Sequence, residues 1–352
     1  MRAVNVAAVK AAVFEAPKQP LKIETVADPT AGDHDLIVAV SACGICGSDL
    51  HVADADGTHG MPPLPRGAVM GHEFAGTVVD AGAAVRAAWP NGTRVTALPT
   101  LGCGRCAACL AGAGSRCAKA LPIGLGHAPG AYAEFVRVRA HETLRLPENV
   151  DDRHAATVEP LAVGLRAVRA AQLERGDDVL ILGAGPIGLA VAAWSKFFGA
   201  RHVIVSDLVP GRLATAEQMG ATSVVDGNGK DVAARIAAIA GGPPRVVFEC
   251  VGLPGLQQLA MTHAAVDGRI VIVGVCMEPD RILPIQALMK ELTVKYVLRY
   301  ERADFALALD MLAAGRITTT PMISGTVGFA DFPATFEHLK TSKTESKILL
   351  SP

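Results

Sequence analysis

The sequence predicts an α/β chain in two parts, a β-rich body followed by a doubly wound parallel sheet. Three observations carry that prediction. Residues 10 to about 159 hold short, often alternating apolar runs broken by Gly, Pro and Asp. From about 160, continuous apolar runs alternate with helical stretches. One such run, 179–182, enters Gly183-Ala-Gly185-Pro186-Ile187-Gly188 and then a helical pattern reaching Phe198. A period of two reads as half-buried strands, whereas unbroken β-branched runs between helices read as a parallel sheet covered on both faces.

Taken in order, residues 1–9 read as a loose tail ahead of a strand at 11–14. The runs 36–40, 76–79 and 94–97 read as strands of a partly open barrel. Six runs, at 179–182, 203–206, 223–226, 245–249, 269–273 and 293–297, supply the parallel sheet. After Leu298 short mixed elements resume, and 347–350 reads as a last strand. The expected division is 1–159, 160–297 and 298–352, the last part returning to the first body.

Composition removes several function classes. A net charge of −1 and an aromatic content of 4% give no footprint for nucleic acid or for an anionic membrane surface. No apolar run approaches the ~18–20 residues of a membrane span. The N-terminus does not read as a secretory leader, so the eight cysteines point to metal or reactive thiols rather than disulfides, and a cytoplasmic location is expected.

The glycine-rich turn is a dinucleotide-binding fingerprint in its proper setting of strand, turn, helix, strand and carboxylate. Gly183 permits the tight turn, Gly185 the close approach of a pyrophosphate, and Gly188 close helix–strand contact. The helix that begins at this turn offers unpaired N–H groups to phosphate. Asp207, 19 residues past Gly188, is placed to accept from both adenosine ribose hydroxyls and to repel a 2′-phosphate. NAD is therefore the expected cofactor, with Arg212 near the adenine side.

Two constellations have metal-ligand character. Cys103, Cys106, Cys109 and Cys117 crowd one glycine-rich lobe at about 100–118. Four thiolates suit a closed tetrahedral zinc with no open position, hence a structural role, and an iron–sulfur cluster uses the same ligand type. The second set is dispersed: Cys43-Gly-Ile-Cys46-Gly-Ser48-Asp49-Leu-His51, then Gly71-His72-Glu73, then Glu159-Pro160-Leu161. A thiolate, an imidazole and a carboxylate with a water make an open, catalytic zinc site. The alternative for Cys43 and Cys46 is a redox pair. Asp49 is expected to hydrogen-bond a group behind the ligands. Cys250 and Cys276 default to unligated thiols, and His59 and His127 fall in glycine- and proline-rich loops that could rim a cleft.

Together Gly44-Ile-Cys46-Gly-Ser48-Asp49, Gly71-His72-Glu73, Glu159-Pro-Leu, Ser206-Asp207-Leu and Leu298-Arg299-Tyr300 resemble the zinc-dependent medium-chain alcohol dehydrogenases. Within them the similarity is to the sorbitol, vicinal-diol and threonine dehydrogenase branch, and it covers nearly the whole chain. The resemblance implies a GroES-like catalytic domain joined to a Rossmann domain, with two zinc ions per chain and the active site between the domains. It implies zinc ligation by Cys46 and His72, and by Glu73 directly or in alternation with Glu159. It further implies a proton relay from Ser48 through the cofactor ribose to His51. Arg299 would reach a substrate oxygen, and Val273, Gly274 and Val275 would line the nicotinamide pocket. The expected reaction moves a hydride between NAD and a small-molecule secondary alcohol, polyol or vicinal diol, in a homo-dimer or homo-tetramer. An L-threonine-type 3-dehydrogenase and a zinc-site redox sensor without turnover are the alternatives. Glu159 stands where alcohol-specific relatives place cysteine, and Val52 where polyol-active relatives often carry an aromatic residue.

Overall fold

The structure, a computed structural model, describes residues 9–57, 63–126, 128–342 and 344–352. Residues 1–8, His59 and His127 lie outside the described residues. Val9, placed in the tail by sequence, instead begins the strand Val9–Val13 and faces Val26 in an antiparallel pair. Its side chain is buried, and the strand starts two residues ahead of the expected run at 11–14.

The first body is built on the long strand Asp35–Gly44, which pairs with Glu73–Ala81, Phe135–Arg139 and Lys347–Leu350. The strand path is open, running from Ile323–Val327 through Lys347–Leu350, Asp35–Gly44 and Glu73–Ala81 to Arg94–Ala97 and Thr143–Arg145, with Phe135–Arg139 paired to Asp35–Gly44 off that path. Its register sets the chemistry. Gly44 lies opposite Glu73, so Cys46, two residues beyond one, and His72, one before the other, emerge from the same end of the pair. The strand Lys347–Leu350 pairs with the same end, facing Cys43 and Gly44, so the chain terminus closes back onto this sheet.

The second body is a six-stranded, wholly parallel sheet in the spatial order Ser223–Asp226, His202–Asp207, Asp178–Leu182, Val246–Glu249, Arg269–Ile272, Thr293–Tyr296. Val179, Leu180 and Ile181 are fully buried, as a central strand covered on both faces requires. The order reverses beside Asp178–Leu182, and the crevice at the carboxyl end of such a switch is where ligands bind. Two helices hold this crevice against the first body. Pro186–Phe197 starts at the glycine-rich turn with a proline in its first turn, where the missing N–H costs nothing. It packs on Val158–Ala170, with Trp194 Nε1 donating to Leu161 O at 2.8 Å. Val158–Ala170 carries Glu159 in its own first turn. Arg302–Ala313 is fixed to that helix by an ion pair between Asp304 and Arg169. Among the described residues, no helix is long and apolar enough to cross a membrane.

Candidate active site and metal centres

The helix Gly47–Asp54 begins at Cys46, and its first-turn Asp49 is the hub of the site. Asp49 Oδ2 accepts from Cys46 N–H at 3.0 Å and from the Tyr132 hydroxyl at 2.5 Å, while Oδ1 lies 3.1 Å from His72 Nδ1. Asp49 is fully buried, so one carboxylate fixes both the backbone of Cys46 and the ring of His72. Holding Nδ1 in that bond leaves Nε2 as the ring's ligand atom. Cys46, His72 and Glu73 each present a donor atom, all within 4.8 Å of one another.

Charge around this trio favours a cation. Burial alone disfavours imidazolium at His72, yet Asp49 and the Cys46 thiol beside it raise its pKa well above the ordinary value. Burial, helped by repulsion from Glu73, pushes Glu159 up to about 7. Lys347 is the buried counter-charge: its Nζ is 2.6 and 2.7 Å from the two Glu73 oxygens and donates to Ile45 O at 2.8 Å. Burial works against the ammonium there, and Glu73 and Cys46 more than restore it. Thiol, imidazole and carboxylate converge at one end of the pocket, a donor set that fits zinc. The buried Tyr300 hydroxyl lies beside Glu159, and burial together with that carboxylate raises its pKa well above the ordinary value.

The glycine-rich turn fits a dinucleotide. Gly183 has φ +97, and its amide donates to Ser206 O at 2.8 Å, binding the turn to the neighbouring strand. A Cβ on Gly188 would stand 1.9 Å from Gly183 O, whereas one on Gly185 would meet nothing within 4 Å. The backbone at Gly185 is thus bare toward the crevice, at the cap of the helix Pro186–Phe197. Asp207 ends its strand beside the turn, accepting from Ala184 N–H at 2.7 Å and Val209 N–H at 2.9 Å. Arg212 Nη2 donates to Glu345 O at 3.4 Å.

A cleft of ≈ 680 Å³ joins these parts: Cys46, His72, Glu73 and Glu159 line it, and so do Gly185, Pro186 and Ile187. Val273, Gly274 and Val275 form a further stretch of its wall. Ser48 Oγ sits 3.2 Å from Cys46 Sγ inside the cleft. His51 is exposed and lines both the cleft and an adjoining outer groove. Arg299 also lines the cleft, with Nη1 donating to Ser115 O at 3.1 Å. The ion pair to Glu301 or Glu291 that its neighbourhood in sequence offers is not made; Glu301 pairs with Arg116 at 3.0 Å.

In the lobe, all four sulfurs of Cys103, Cys106, Cys109 and Cys117 lie within 4.8 Å of one another. Cys109 Sγ is 4.0 Å from Cys103 Sγ and 3.6 Å from Cys106 Sγ. A tetrahedral zinc with bonds of about 2.3 Å needs edges of about 3.8 Å. Backbone amides of Arg105 and Cys106 lower the Cys103 pKa to about 6, and burial raises Cys109 to about 12. The cage fits zinc as built.

Lys347, Tyr300 and Asp49 contribute more than sequence suggested. Lys347 stood in sequence only as the first residue of an apolar strand; a lysine opening a fully buried strand was its one signal.

A profile of the alcohol dehydrogenase GroES-like domain matches residues 32–148, and one of the zinc-binding dehydrogenases matches residues 186–314. Sorbitol dehydrogenase of Bacillus subtilis is 30% identical over 346 residues, covering 97% of each chain. (R,R)-butanediol dehydrogenase of the same organism is 32% identical, over 95% of this chain and 97% of its own. A protein from Sinorhizobium meliloti 1021 solved with NADP superposes with a TM-score of 0.88 at 34% identity, over 98% of this chain and all of that one.

Proposed function

The chain belongs to the zinc-dependent medium-chain alcohol dehydrogenases, and from that premise we propose that it moves a hydride between NAD and a secondary alcohol, polyol or vicinal diol. One observation carries the reading: the trio Cys46, His72, Glu73 and the bare turn at Gly185 open into a single cleft. When bound, zinc supplies Lewis acidity that makes a substrate hydroxyl acidic, and the nicotinamide takes the hydride.

The residues divide the remaining work. Cys46, His72 and Glu73 hold the catalytic zinc, with Glu159 as the alternate carboxylate, and Cys103, Cys106, Cys109 and Cys117 hold a structural one. Asp49 keeps His72 Nε2 and Cys46 aimed inward, and Lys347 offsets the charge of Glu73. Ser48 takes the hydroxyl proton, and His51, at the seam of cleft and outer groove, delivers it to solvent. Arg299 orients a second oxygen of the substrate. Gly183, Gly185, Pro186, Ile187 and Gly188 seat the pyrophosphate, Val273–Val275 border the nicotinamide, and Asp207 selects NAD over NADP. Arg212 supports the adenine side indirectly, by tying its helix to the chain at Glu345.

Residues 1–159 and 298–352 form the catalytic body in this reading, and 160–297 the cofactor body. The exposed edge strand Thr293–Tyr296, flanked by exposed Ile285, Leu288 and Met289, supports assembly into a homo-dimer or homo-tetramer. Eight free cysteines support a reducing, cytoplasmic setting. The test is a panel of diols, polyols, secondary alcohols and threonine with NAD and with NADP, following absorbance of the reduced cofactor. Turnover of a diol or polyol with NAD, abolished by chelation and restored by zinc, is expected. Zinc-loaded protein inert toward the whole panel would overturn the reading.

A further inference from the structure

We propose that the four-cysteine lobe is one wall of the substrate site, and that its Arg116 acts with Arg299 to hold an anionic group of the substrate, a carboxylate or phosphate borne away from the reacting carbon. The inference rests on the dehydrogenase reading above and names the substrate class of that same cleft.

The lobe is not remote from the cleft. Ser115, Arg116 and Cys117 line the same cavity as Cys46, His72 and Glu159. The lobe is also stitched to the segment 299–302 that forms the neighbouring wall. Arg299 Nη1 donates to Ser115 O at 3.1 Å and Arg302 N–H to Gly112 O at 2.9 Å. A substrate held at the metal end by its reacting hydroxyl therefore meets two guanidiniums on these joined walls.

Charge in the cleft is divided. The carboxylates that line it, Glu73 and Glu159, belong to the metal end. Arg116 and Arg299 stand on the wall made by the lobe and by 299–302. Among the described residues Arg299 has no carboxylate within 4.0 Å; its one hydrogen bond, to a carbonyl, leaves most of its five N–H donors and all of its charge unanswered. Arg116 does have an acid, Glu301, at 3.0 Å, but the side chains are 55% and 36% exposed. Such an exposed pair contributes little and yields to a better-placed anion. Two guanidiniums, one without a counter-ion and one weakly held, match the planar bidentate geometry of carboxylate and phosphate. A neutral polyol chain needs no such pair.

The test compares matched substrates on the zinc-loaded enzyme with NAD: sorbitol 6-phosphate against sorbitol, and 2,3-dihydroxybutanoate against 2,3-butanediol. The anionic member of at least one pair should have the higher kcat/KM, by about tenfold or more, and the pair that shows it tells phosphate from carboxylate. Arg116→Gln should cut the anionic-to-neutral ratio by about tenfold, mainly through KM. Glu301→Gln should move the ratio the opposite way, because it frees Arg116 while its amide oxygen can still cap the helix Arg302–Ala313. Neutral members favoured in both pairs, or a ratio unmoved by Arg116→Gln, would overturn the proposal. Should no member of either pair turn over, the dehydrogenase reading is decided by the wider panel above. The wall is then judged by calorimetry of sorbitol 6-phosphate on protein loaded with zinc and NADH. Binding weakened by Arg116→Gln upholds the wall, and equal or undetectable binding overturns it.

Discussion

Asp49 and Lys347 touch the proposed zinc ligands rather than serving as ligands, and each predicts a distinct defect. Asp49 accepts from Cys46 N–H and Tyr132 and holds His72 Nδ1, so Asp49→Asn loses the charge that orients the ring. Removing such a partner typically weakens metal affinity by about 10–100-fold. After dialysis the variant should retain one zinc per chain, in the lobe, and elemental analysis will show it. Two retained zincs would mean that His72 needs no such support. Lys347 neutralises a carboxylate buried beside it. Breaking a buried pair from one side costs about 3–5 kcal/mol. Lys347→Met should therefore lower the melting temperature of metal-free protein sharply, and zinc should restore much of the loss by giving Glu73 another cation. Equal melting shifts with and without zinc would contradict this.

The proposed function asks the glycine-rich turn, one short element, to serve both folding and binding, and its glycines should separate on mutation. A Cβ at Gly188 collides with Gly183 O, so Gly188→Ala should cost about 1–3 kcal/mol or more in chemical denaturation. A Cβ at Gly185, where φ is −71, meets nothing. Gly185→Ala should therefore change stability by less than about 1 kcal/mol and still raise the dissociation constant for NADH at least tenfold, read by fluorescence titration. Similar NADH affinity in that variant would place the pyrophosphate elsewhere. Elements of this kind were the most legible part of the sequence. All six parallel strands begin and end within a residue or so of their apolar runs, and in the central strands burial on both faces demands an unbroken run. The cysteine lobe was equally legible, since close spacing forces its four sulfurs together.

Across the whole molecule, what sequence left unseen is what long-range pairing creates. Lys347 reaches Glu73 across 274 positions. Arg116 takes Glu301, the acid two residues from Arg299 in the chain, and Arg212 reaches Glu345 across 133 positions. None of these partners shares a local period or spacing, so only the register of strands such as Gly44 opposite Glu73 could reveal them. The same architecture predicts two classes of metal. The cleft site, with carboxylate in its ligand set, should lose zinc to a mild chelator and end turnover while the melting temperature changes little. The thiolate lobe should lose its ion only under harsher treatment, with loss of structure. Simultaneous loss of both ions would contradict that order. The most direct measurement is zinc-edge anomalous scattering from crystals grown with NADH. Two peaks per chain are expected, one amid Cys103, Cys106, Cys109 and Cys117 and one amid Cys46, His72 and Glu73, with the nicotinamide between the latter and Val273–Val275. A single peak at the lobe, or a nicotinamide lying outside the cleft, would contradict the account.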